Sequence, residues 1–64
     1  MINKKELRKS LAELGLNQNR LAKLLHVTPP TLSYKIKNDS FNYRELEFLK
    51  NLFGQEAFIN IFFN

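Results

Sequence analysis

The stretch Gln18–Lys37, QNRLAKLLHVTPPTLSYKIK, decides how the rest of the chain is read. Leu21, Ala22 and Leu25 give its first half an apolar face, and Leu32 and Ile36 continue the helical spacing in its second half. Between the halves lies His26-Val27-Thr28, the place for a sharp turn. Ala22 suits the closest point of a helix crossing, because a larger side chain there would push the two axes apart, and Val27 suits the gap between them. Two short helices joined in this way make a helix-turn-helix, whose second helix is shaped to enter the DNA major groove.

Working outward, 64 residues allow a single domain with a modest core. There is no cysteine, which excludes disulfides and thiolate metal sites and points to a reducing cytoplasm. Met1-Ile2 leads straight into Asn-Lys-Lys-Glu with no apolar signal region, and no run approaches the roughly 20 apolar residues that a membrane span needs. The net charge of +4 is unevenly spread. Residues 1–37 hold eight Lys/Arg against Glu6 and Glu13, and residues 38–64 hold Arg44 and Lys50 against four acids. A basic half that carries the helical pair is suited to a polyanion.

One pattern recurs four times: an apolar residue, then Asn or Thr, then Leu four positions further on. Its copies are Ile2-Asn3…Leu7, Leu16-Asn17…Leu21, Val27-Thr28…Leu32 and Phe41-Asn42…Leu46. Each reads as a helix start, with the polar residue as N-cap and the apolar pair as a hydrophobic staple. Asn3 with Glu6 and Asn42 with Glu45 also have capping-box spacing. The starts predict helix 1 from Lys4 to about Leu14, with Leu7, Leu11 and Leu14 inward. Gly15 then takes a left-handed position and Leu16 the apolar contact of a Schellman end. Helix 2 covers Gln18 to Leu25, and His26 tolerates positive φ in the turn.

Helix 3 follows Thr28. Proline in a first turn loses only N–H groups that have no partner there, so Pro29-Pro30 is admissible. Because proline biases its predecessor toward extended backbone, regular helix is expected nearer Pro30, ending by Lys37. Helix 4 covers Tyr43 to Phe53, with Leu46, Leu49, Leu52 and Phe53 inward, Glu45, Glu47 and Lys50 toward water, and Gly54 as its stop. The last stretch, QEAFINIFFN, is two-valued. Phe58, Ile61 and Phe62 have helical spacing, whereas Ile59, Ile61 and Phe63 would line one face of a strand. The expectation is an all-α, compact five-helix bundle, with an edge strand as the alternative for the last segment. Part of FINIFF would close the core against helix 1 or 4, and part would remain as a contact surface.

The residue order Gln18, Leu21-Ala22, Val27-Thr28, Thr31-Leu32-Ser33 resembles the helix-turn-helix of the lambda-repressor/Cro-like (Xre) family. Five short helices with the motif in the second and third extend that resemblance to nearly the whole chain. It implies a Cro- or repressor-like transcriptional regulator from a temperate phage or prophage, cytoplasmic, bound as a dimer to operator DNA. Carried over position by position, it implies that Gln18, joined by Asn19, bonds a backbone phosphate at the start of helix 2. Thr28, Pro29, Pro30, Thr31, Ser33, Tyr34 and Lys37 would face the groove or its rim. Asn38, Ser40, Asn42 and Arg44 would grip the backbone. The chain departs from the family where the first positions of helix 3 often carry Gln, Arg or Ser. Proline offers a base edge only apolar contact, so readout would rest on Thr31, Ser33, Tyr34 and Lys35 or Lys37, with relaxed specificity.

An alternative function is a phage modulator protein or antitoxin that acts by binding a partner repressor or toxin through the apolar segment Phe58-Phe63. That segment equally suits a homodimer. An enzyme is not expected: no nucleophile–base pair, metal cage or Gly-rich phosphate loop is present, and no cofactor or small-molecule substrate is implied. His26, with no acidic or Cys partner nearby in sequence, reads as a turn residue and not as a ligand or base.

Overall fold

Four polar side chains start four helices. In the computed structural model, which describes residues 2–63, Asn3 Oδ1 accepts the Glu6 N–H at 3.1 Å ahead of α1 (Lys4–Glu13). Asn17 Oδ1 accepts the Arg20 N–H at 2.8 Å ahead of α2 (Gln18–Leu24). Thr28 Oγ1 accepts the Thr31 N–H at 3.3 Å ahead of α3 (Pro29–Asn38). Asn42 Oδ1 accepts the Glu45 N–H at 2.8 Å ahead of α4 (Tyr43–Phe53). The full capping box closes at α4, where Glu45 Oε1 accepts the Asn42 N–H at 3.0 Å. Asn3 and Glu6 make the forward bond alone. The last helix, α5 (Gln55–Phe62), has no side-chain cap and follows Gly54 at φ 90°.

The helix ends repeat one device. Leu16 N–H reaches the Leu11 carbonyl at 2.8 Å and Val27 N–H reaches that of Ala22 at 3.0 Å, over left-handed Gly15 (φ 70°) and His26 (φ 61°). These are the six-to-one bonds of Schellman ends. Ser40 N–H closes α3 on the Lys35 carbonyl in the same way, over Asp39 at φ 51°. Leu16 and Val27 each end one helix and precede the cap of the next, and both pack against the core. One apolar side chain thereby serves two helix termini, which keeps the connections short.

The core holds Ile2, Leu7, Leu11, Leu21, Ala22, Leu32, Ile36, Leu49, Phe58, Ile61 and Phe62. Ala22 and Leu32 are fully buried where α2 meets α3. The segment α5 packs against both α1 and α4. Its Ile61 carbonyl accepts the Asn3 N–H at 2.8 Å, tying the first described residues to the last helix. Phe62 stands edge-on to Phe41, with centroids 5.8 Å apart, and lies 4.8 Å from Phe58.

Several expectations need correction. No strand forms among the described residues, and 55–62 are helical. Phe58, Ile61 and Phe62 take the buried face while Ile59 and Phe63 stay exposed, so helical spacing prevails over the alternating one. Leu14 is 47% exposed and not inward. The chain reverses at Gly15 immediately after it, and Leu16 folds back in its place while Ser10 joins the buried face of α1. The helix α2 stops at Leu24, with Leu25 as C-cap. Regular helix in α3 begins at Pro29 and runs through Asn38. Extended Thr28 (φ −79°, ψ 157°) satisfies the restriction before a proline, and its carbonyl accepts the Leu32 N–H at 3.0 Å, so neither proline removes a bond the first turn needs. Glu45 does not face water but is largely buried.

Candidate nucleic-acid interface

The helix α3 has four sides, set by its 3.6-residue period. Leu32 and Ile36 enter the core. One flank, at Ser33, meets the start of α2: Gln18 Nε2 donates to Ser33 Oγ at 3.3 Å. The other flank, at Lys35, meets α4: the ammonium pairs with Glu45 Oε1 at 3.1 Å. The outermost side carries Pro30, Tyr34 and Lys37, all exposed, with Tyr34 at 64%. The helix is thus held on both flanks with its crest exposed.

Of the positions singled out in the sequence, Gln18, Asn19, Thr28, Pro29, Pro30, Thr31, Ser33, Tyr34, Lys37, Asn38, Ser40, Asn42 and Arg44 are exposed. Their polar groups are not equally available. Thr28 Oγ1 accepts the Thr31 N–H and donates to Thr31 Oγ1 at 2.8 Å, which leaves the Thr31 proton free. Asn38 Nδ2 is turned back onto the Tyr34 carbonyl at 2.9 Å, and Asn42 Oδ1 is committed to its cap. Gln18 keeps one amide hydrogen and its carbonyl, and Ser33 keeps its hydroxyl proton. Tyr34, Lys37 and Arg44 have polar ends with no partner among the described residues.

Lys35 departs from its expected place. Its side chain is 18% exposed and its charge is engaged by Glu45 (11% exposed), the same carboxylate that closes the α4 capping box. The ammonium is therefore a strut between α3 and α4. The 1–37 half also contributes two cations that sequence reasoning passed over. Lys4 and Arg8, one turn apart on α1, line a cleft of about 170 Å³ with Leu7, Gln18, Ser33 and Ile36. The signal was their i, i+4 spacing beside inward Leu7, which places both on one margin of α1. Which helices that margin adjoins is decided by packing alone.

Away from α3, exposed Tyr43 (81%) and Phe63 (70%) border a shallow groove of about 220 Å³ with Leu46, Glu47, Lys50 and Phe58. No cluster of three or more His, Asp or Glu able to hold a metal occurs among the described residues, and none of their helices is long and apolar enough to cross a membrane. Comparison with family models, with curated proteins and with solved structures finds no match for this chain.

Proposed function

We propose that this chain is a DNA-binding transcriptional regulator of the lambda-repressor/Cro-like type, with α3 as its recognition helix. The observation that carries the reading is α3 itself: Leu32 and Ile36 are buried, Tyr34 and Lys37 are outermost, and both flanks are bonded to neighbouring helices. A surface aromatic and a free cation on a braced helix suit base or sugar contact beside phosphate contact. The charge division supports it, since the helix pair lies in the half with eight Lys/Arg against two Glu. Thr31 and Tyr34 supply the polar contacts to base edges, Ser33 being turned toward Gln18. Pro29 and Pro30 supply only apolar ones, so sequence discrimination is modest and phosphates dominate affinity. The temperate-phage source belongs to the same reading and rests on the motif resemblance; the cytoplasmic location goes with the lack of cysteine, and the absence of catalysis with the lack of any catalytic motif in the sequence.

The test is binding to DNA from upstream of the chain's own gene, by anisotropy at fixed salt. Tyr34→Ala is expected to weaken binding about tenfold, ~1.4 kcal/mol, with the helical circular dichroism unchanged. Unaltered affinity in both Tyr34→Ala and Gln18→Ala removes α3 from the interface.

A second reading is favoured by the exposed Tyr43 and Phe63: a modulator or antitoxin whose main partner is another protein. Tight binding by the isolated chain counts against it. DNA binding that appears only with a co-encoded regulator counts for it.

A further inference from the structure

We infer that the cleft between α1 and the α2–α3 pair is a phosphate site, which seats a backbone phosphodiester when α3 lies in the groove. The inference rests on the DNA-binding reading and extends the interface to a helix outside the motif. Every charge lining the cleft is positive, Lys4 and Arg8, and no carboxylate lines it. Neither cation has an ion-pair partner among the described residues. At its base, Gln18 donates one amide hydrogen to Ser33 Oγ, which leaves the second amide hydrogen and the Ser33 hydroxyl proton to donate. The hydrogen bond thus holds two neutral donors beside two cationic ones. Leu7 and Ile36 form an apolar floor that limits competing hydration. A volume of about 170 Å³ is several times the ~30 Å³ share of one water in the liquid. Two positive charges, two free neutral donors, no carboxylate and room for a polyatomic group describe a site for a tetrahedral oxyanion with more than one acceptor oxygen. Lys4 and Arg8 would then fix the roll of α3 in the groove without reading any base.

The experiment measures DNA affinity against salt for the whole chain, for Lys4→Met/Arg8→Met, and for Lys5→Met/Lys9→Met, which removes the same charge from another side of α1. The cleft variant is expected to flatten the slope of log K against log salt by about one unit, the signature of one lost phosphate contact. Over a fourfold rise in salt it then loses about fourfold less affinity than the parent. Binding weakens alike on all sequences, and the control keeps the parent slope. A parent slope in the cleft variant overturns the inference while DNA binding stands.

A titration of the unaltered chain with inorganic phosphate, against chloride at matched ionic strength, separates the sources. If the chain binds no DNA, the regulator reading fails. Saturable NMR shifts at the Arg8 Nε–H and the Gln18 amide then establish a site for free phosphate, and their absence overturns the cleft altogether.

Discussion

At the scale of single residues, His26 carries a cost that the turn imposes. It sits at φ 61° with its side chain exposed, in a position where glycine has no Cβ penalty. A left-handed conformation costs an L-residue roughly 1–2 kcal/mol, and introducing glycine returns part of that gain as unfolded-chain entropy. His26→Gly is therefore expected to stabilise by about 0.5–1 kcal/mol, roughly two- to fivefold in the folded-to-unfolded ratio, and His26→Val, β-branched at positive φ, to destabilise by more than about 1 kcal/mol, over about fivefold, both read by urea denaturation. The positive φ was legible through the resemblance, because His26 stands where the lambda-repressor/Cro-like motif usually has glycine. Asp39, also left-handed, was not legible, because Asn38-Asp39-Ser40 offers three residues each suited to ending a helix.

At the scale of elements, the Lys35–Glu45 pair is the link that sequence reading did not foresee. Lys35 was placed at the DNA and Glu45 in water because each lies one helical step from an exposed position, and a period cannot show that α3 and α4 close over that step. The pair predicts unequal substitutions. Lys35→Met leaves the capping box intact, so the Glu45 carboxylate keeps the Asn42 N–H but loses its counter-charge, and the expected loss is about 1 kcal/mol. Glu45→Ala opens that box and strands a partly buried ammonium, for an expected loss of roughly 1–3 kcal/mol in thermal or urea unfolding. If DNA is bound, Lys35→Met leaves the salt slope unchanged, which separates a strut from a phosphate contact. The starts of α1 to α4 were legible because capping is local: the donor lies three residues from the acceptor. The α5 segment lacks a side-chain cap, and its apolar run fits either period until α1 and α4 are present to cover Phe58, Ile61 and Phe62.

At the scale of the whole molecule, the bundle leaves an apolar groove opposite in chemistry to the basic cleft. Tyr43 and Phe63 border it, and Glu47 and Lys50 lie beside them on α4. Acid and base one turn apart can pair reciprocally across a twofold axis, as an isologous contact requires. Repressor-type binding to two half-sites about one helical turn apart needs such a pairing. The expected outcome is concentration-dependent sedimentation of the chain that Phe63→Asp abolishes, with thermal stability altered by less than ~1 kcal/mol because Phe63 is largely exposed. Sedimentation that is the same for both chains, at every concentration, assigns the groove to a different partner.

The amino-acid sequence by itself determined the N-caps of α1 to α4 and most of the apolar residues of those helices that point inward, Leu14 excepted. Each of these depends on groups within a few residues of one another. Tertiary structure alone decided the pairing of Lys35 with Glu45 and the meeting of Lys4 and Arg8 with Gln18 and Ser33. Those outcomes join segments many residues apart, and their energy exists only once the chain has closed the distance.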